Sequence, residues 1–241
     1  MALPKIDYPI FDVYLKSLKK KVKFRPFLVK EEKLLLMAKE AEDIASLLET
    51  VKQIINNCAL ESLDVENLPM FDIEMIFIHL RLRSVGESLE LTYKCNNVVE
   101  NNETCNGSMA FDVDLNTVEF KEPPEHSNKI MLTDNVGIVL KYPSLAISTK
   151  INQENDSLES IVDLIYEHVD YVFDDVSKYE ADSVTKEELI EFLTSMSIEQ
   201  LELFKNFFTT LPYVQAEKDI TCGKCGFEHR IIVRGIDDFF G

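Results

Sequence analysis

Apolar residues alternate with polar ones near the start, in the middle and near the end of the chain, and recur at helical spacing between those stretches. Residues 9–15 are rich in β-branched and aromatic types, and Val22-Lys23-Phe24-Arg25 alternates with a period of two. The two predict an opening hairpin whose solvated tip carries Lys16, Lys19, Lys20 and Lys21. Pro26 has no N–H to donate and stops the ladder. A helix is predicted over 31–40, with acids in its first turn, and a second over 43–56, with Ile44, Leu47, Leu48, Val51, Ile54 and Ile55 as its apolar stripe. A third, from Met70 to Val85, is apolar nearly all round and belongs in the core, with His79 as a hydrogen-bonded core residue.

Alternation returns over 88–94 and 109–115, two strands of a hairpin with Cys95 and Cys105 at the mouth of its loop, and continues through 118–120. After Pro123-Pro124, residues 129–132 and 137–142 read as another strand pair. Asp156-Ser157-Leu158-Glu159 has the pattern of a capping box and opens a helix to about Val169. The stretch 170–176 stays open between strand and loop. Thr185-Lys186-Glu187-Glu188 and Ser197-Ile198-Glu199-Gln200 announce two further helices, the second ended by Pro212. Residues 213–221 and 227–233 form a last hairpin around Cys222-Gly223-Lys224-Cys225-Gly226.

The fold class is therefore α+β: an N-terminal β-hairpin, a helical core, two zinc-linked β-hairpins and a C-terminal helical half. The chain reads as one unit over 1–241. Its sub-divisions are 1–122, 123–212 and 213–241, the last packing back on the first thiol hairpin.

Composition narrows the function. Of 241 residues 46% are hydrophobic and glycine and proline are few, so a folded core is expected, not a set of linkers. No apolar run reaches the roughly 18 residues of a membrane span. The N-terminus lacks the apolar block of a signal peptide, which leads to a reducing, cytosolic setting in which a Cys-x-x-Cys pair binds metal or works in redox chemistry. A net charge of −18 disfavours nucleic acid and anionic lipid as partners of the whole body.

Cys222-x-x-Cys225-Gly supplies two ligands of the four that a closed zinc site wants, and Cys95 and Cys105 are the pair that can complete it. Cys58 has no nearby partner thiol and reads as a small buried residue. His229 is the alternative ligand in place of Cys95 or Cys105, although its strand is expected to run away from the knuckle. No phosphate-binding glycine loop, Gly-x-Ser-x-Gly elbow or His-plus-nucleophile pattern occurs, so no enzyme is expected. A small-molecule substrate is not expected either.

Three features together resemble a known family. They are Phe24-Arg25-Pro26-Phe27-Leu28-Val29-Lys30-Glu31-Glu32-Lys33-Leu34-Leu35-Leu36-Met37-Ala38 after the basic hairpin, Tyr93-Lys94-Cys95-Asn96-Asn97, and Cys222-x-x-Cys225-Gly followed by Gly235-Ile236-Asp237-Asp238-Phe239-Phe240. The chain resembles the baseplate hub proteins of T-even-type contractile-tailed phages, a family that includes the hub subunit and a hub assembly factor. The resemblance implies a non-enzymatic tail protein made in the infected host's cytoplasm and working where the tail tube and its tape-measure protein begin. It implies other hub or tail proteins as partners, and either a permanent place in the virion baseplate or a transient chaperone role. The competing readings are a zinc-ribbon nucleic-acid module and a zinc hydrolase. The Phe239-Phe240 pair is an anchor either into its own core or into a partner.

Overall fold

The computed structural model describes residues 6–40, 44–99, 102–148 and 158–239. In chain order its strands and α-helices are β1 (Phe11–Leu15), β2 (Lys20–Phe24), α1 (Val29–Glu40), α2 (Ile44–Cys58), α3 (Met70–Ser84), β3 (Ser88–Lys94), β4 (Ser108–Asp114), β5 (Glu119–Lys121), β6 (Lys129–Met131), β7 (Gly137–Leu140), α4 (Leu145–Ser148), α5 (Leu158–His168), β8 (Val169–Phe173), β9 (Lys178–Glu180), α6 (Lys186–Thr194), α7 (Ile198–Thr209), β10 (Tyr213–Thr221), β11 (Glu228–Arg234) and α8 (Gly235–Asp238). The fold is mixed α+β, with small sheets in which every described strand pairing is antiparallel.

The chain divides into two compact units. One comprises Met1–Val65, Phe71–Lys121 and Tyr213–Gly241; the other comprises Glu66–Met70 and Glu122–Pro212.

In the first unit, β1 and β2 form the predicted hairpin, with Tyr14 opposite Lys21. Val13, Leu15, Val22 and Phe24 are buried while the lysines stay exposed, the half-buried pattern that alternation encodes. Its turn is held from below by α3. Asp72, buried in the first turn of that helix, accepts hydrogen bonds from the Lys16 amide (2.8 Å), the Ser17 amide (3.0 Å) and the Ser17 hydroxyl. Removing this carboxylate leaves two amides of the turn without their acceptor. Asp72→Ala is expected to cost about 2–3 kcal/mol, read as a lower urea midpoint at unchanged slope.

The Arg-Pro-Phe-Leu-Val-Lys-Glu run has a structural use. Arg25, at the end of β2, donates to the Pro26 carbonyl, the Asn57 carbonyl at the end of α2, and the carboxylate of Glu31 in the first turn of α1 (3.0 Å). Glu31 also accepts from the Leu28 amide at 2.8 Å. Cys58 lies fully buried beneath, 3.5 Å from the guanidinium. One ion pair thus joins β2, α1 and α2. The inner face of α3 contributes Ile73, Ile76, Phe77 and Leu80, all fully buried.

Two hairpins complete the unit, β3–β4 and β10–β11, each in continuous antiparallel register. The sequence reading has 118–120 continuing the first hairpin. Instead β5 crosses to β10, pairing Lys121 with Tyr213, and makes a three-stranded sheet in the order β11-β10-β5.

In the second unit β6, β7, β8 and β9 lie side by side in that order. Ile130, Ile138, Leu140, Ile165, Val169, Leu189, Leu193, Phe204 and Phe207 form its core. The stretch left open between strand and loop is β8, with β7 and β9 on either side. At Gly137 a Cβ would come within 2.8 Å of the Ile130 carbonyl and closer still to the Phe173 ring, so the ring closes over a bare backbone. The capping boxes at Thr185 and Ser197 are formed as predicted; the one at Asp156-Ser157 lies outside the described residues.

Candidate metal centre

Each thiol hairpin folds so that backbone amides point at its own sulfurs. In the first, the Cys95 amide donates to the Gly107 carbonyl and the Asn106 amide to the Cys95 carbonyl (2.8 and 2.9 Å). Asn106 takes a positive φ of 51°, a conformation that asparagine tolerates better than most residues. The Cys105 amide returns to the Asn97 carbonyl at 2.8 Å. In the second, Cys222 bonds Phe227 through its amide and Gly226 through its carbonyl, and Gly226 has φ 74°. This is why the glycine follows the second cysteine. The Asn97 and Gly107 amides face the Cys95 and Cys105 sulfurs. The Lys224 and Cys225 amides face Cys222, and the Phe227 amide faces Cys225. Each cysteine thus has the amide of the residue two positions on turned toward its sulfur.

The two tips meet. The sulfurs of Cys95, Cys105, Cys222 and Cys225 all lie within 4.8 Å of one another. Cys95 and Cys225 are 3.7 Å apart and Cys105 and Cys222 3.8 Å. A tetrahedron with metal–sulfur distances of about 2.3 Å has edges of about 3.8 Å, so four thiolates in these places fit a zinc-sized ion. Cys95, Cys105 and Cys222 are buried and Cys225 is partly so, which leaves little access for water. The thiols are not equivalent in charge. Burial pushes Cys95 up to about 12 and also raises Cys105. The Phe227 amide first, against burial, brings Cys225 down to about 6, and the Cys225 and Lys224 amides lower Cys222. Four thiolates packed this closely need a cation among them, and such a group of sulfurs could hold a metal ion.

Three neighbours stand against the sulfurs, and for the first the expected course of its strand is corrected. His229 does not run away from the knuckle: alternation along β11 turns it inward, and its Nε2 stands 3.1 Å from the Cys95 sulfur, placed to donate an N–H to a thiolate. Lys224 reaches across to the Cys105 carbonyl at 2.7 Å. Gly107 is where the hairpins touch: a Cβ there would stand 2.9 Å from the Cys222 sulfur and 3.0 Å from the Lys224 Cβ. The available signal was Asn106 directly after Cys105, since it takes the positive φ that Gly226 takes directly after Cys225. Gly107→Ala is expected to speed metal loss to a chelator about ten-fold, measured by competition with a chromogenic dye.

The cations near the knuckle are largely committed elsewhere. Arg230 pairs with Glu217, Arg234 stacks on Tyr213 at 3.8 Å, and Lys224 is held as described. Phe239, of the C-terminal pair, is fully buried; Phe240 lies outside the described residues. No helix among the described residues is long and apolar enough to cross a membrane.

Residues 8–241 match a family model described as T4 bacteriophage base plate protein. No curated protein and no solved structure matches the chain.

Proposed function

The chain belongs to the T4 bacteriophage base plate protein family, and from that premise we propose that it is a non-enzymatic component of the baseplate hub, either a hub subunit or the factor that assembles the hub. The observation that carries the reading is the extent of the match, from residue 8 to residue 241. The absence from the sequence of a nucleophile-and-base pattern supports the non-enzymatic part. Its partners are other hub and tail proteins, the tape-measure protein included. Its place is the infected host's cytoplasm during tail assembly, and the virion baseplate if it remains.

In the same reading Cys95, Cys105, Cys222 and Cys225 are the ligands of one structural zinc per chain. When bound, the ion supplies charge neutralisation and a cross-link, with no position for a reacting water. The protein's part is to aim amides and the His229 ring at the sulfurs and to exclude solvent. The nucleic-acid alternative is disfavoured by the net charge and by the committed arginines around the knuckle.

Antibody probing of purified virions, paired with pull-down from infected cells, tests the function. A hub subunit is retained in virions. An assembly factor is absent from virions but co-purifies with tail proteins from cells. A chain found in neither, bound to no tail or hub protein, is not a baseplate component.

A further inference from the structure

The β11 strand is the open edge of the sheet β11-β10-β5. Among the described residues no strand pairs with its outer side, and a hollow of about 300 Å³, lined by Tyr93, Lys94 and residues 229–232 among others, runs beside it. The parity of its hydrogen bonds is settled by the knuckle. Cys222 donates to Phe227 at the end of the β10–β11 register, so residues 227, 229, 231 and 233 exchange bonds with β10. The amides and carbonyls of Glu228, Arg230 and Ile232 therefore point away from β10. Arg234 agrees, since its amide bonds the Asp238 carboxylate at 2.9 Å and not the strand opposite. The side chains of these four residues are exposed, Ile232 at 51%.

An edge of this length invites another strand, and its own sequence says which one fits. Two antiparallel copies must place outward-facing residues opposite each other. Centring the pair on Arg230 sets the two copies of that arginine face to face. Centring it on Ile232 sets Arg230 against Arg234 twice. Among registers that keep at least five residues of each strand paired, centring it on Ile231 alone avoids every arginine–arginine opposition: Arg230 meets Ile232, and Glu228 meets Arg234 at both ends. We propose that this chain forms a two-fold dimer through β11, in the register that places Ile231 opposite its own copy and pairs Glu228 with Arg234 across the interface.

Such a dimer continues the three-stranded sheet into one of six strands and leaves the thiol cluster within each copy. The interface is a single strand pair, so association is expected at micromolar concentrations and above.

Sedimentation equilibrium of the full chain over micromolar to sub-millimolar concentration tests the proposal. The wild type is expected to show a monomer–dimer equilibrium. Ile232→Pro removes an outward amide that β10 does not use and should weaken association at least about ten-fold. Should that variant fold poorly, as judged by circular dichroism, Glu228→Lys decides, because it sets a lysine against Arg234 at both ends and should weaken association about as much. A wild type that stays monomeric throughout overturns the proposal and leaves the edge to a strand from another protein. So does a dimer that neither folded variant weakens.

Discussion

Cys95→Ser and Cys222→Ser are each expected to abolish stoichiometric metal binding, from one ion per chain to none by elemental analysis, and to lower the melting temperature of the first unit by more than about 10 °C. The size of the effect follows from what the four sulfurs hold together. Sulfurs 117 and 130 residues apart in sequence stand within 4 Å of each other. Among the described residues the buried cluster there contains, beyond the thiols, only Met109, with Tyr93 and Ile220 beside it. So small an apolar cluster cannot hold two hairpin tips against the entropy of separating them, whereas structural zinc contributes on the order of 10 kcal/mol in small metal-dependent domains. Acid acts in the same direction: protons compete for thiolates that burial already disfavours, so the metal is expected to leave as pH falls. His229→Ala separates ligand from neighbour. If the ring only donates to the Cys95 sulfur, the variant keeps its metal with about ten-fold lower affinity. Complete loss, with Cys105→Ser still loaded, would make the histidine the fourth ligand.

A second large effect is expected at Arg25 and Glu31. Glu31 is 1% exposed and its carboxylate meets the Arg25 guanidinium and the Leu28 amide. Truncating either partner leaves the other charge buried, and Arg25→Ala or Glu31→Ala should cost about 3–5 kcal/mol by denaturant unfolding. Replacing both together, as Arg25→Met with Glu31→Leu, should cost much less, because no orphaned charge remains. The pH dependence has a definite sign. Burial raises the Glu31 pKa, but the bonds from Arg25 and Leu28 outweigh it and hold the group below its ordinary value. Its contribution is therefore complete above the unfolded value of about 4.3 and is lost as pH falls through the lower folded one. The stability gap between wild type and Glu31→Gln should narrow across that acid window. A gap that stays constant there would refute the assignment.

What could be read from sequence was what depends on near neighbours. The second thiol pair was legible because its cysteines are three residues apart and the turn they need demands a glycine at Gly226. The capping boxes at Thr185 and Ser197 are complete within four residues, and the α3 stripe within four turns. The first thiol pair was legible only through its place at the mouth of a hairpin. What depends on two distant segments meeting was hidden. Gly107 matters because Cys222 arrives beside it, and His229, named as an alternative ligand, was expected to turn away because nothing local brings Cys95 to it. Arg25, Glu31 and Cys58 were visible as residues of a family-like run, or as an isolated thiol, but not as one cluster. The β8 strand was ambiguous for another reason: it is flanked on both sides within its sheet and is half-buried along most of its length, so it lacks the clean alternation of a strand with one wet face. The exchange of β5 from the first hairpin to β10 left no local mark, since a three-residue strand carries too little pattern to choose its partner.

The separation of the two thiol pairs also has a consequence for synthesis. Cys105 leaves the ribosome 117 residues before Cys222, which at about 5–20 residues per second is roughly ten seconds. During that interval the nascent chain carries two unpaired soft donors, and the whole of residues 122–212 is made and free to collapse on its own core. A translation product that stops early can never close the clasp. Arrival of the β10–β11 segment is thereby registered chemically, by whether the first pair ever meets the second, and a chain stalled before Cys222 is left with Cys95 and Cys105 unclasped.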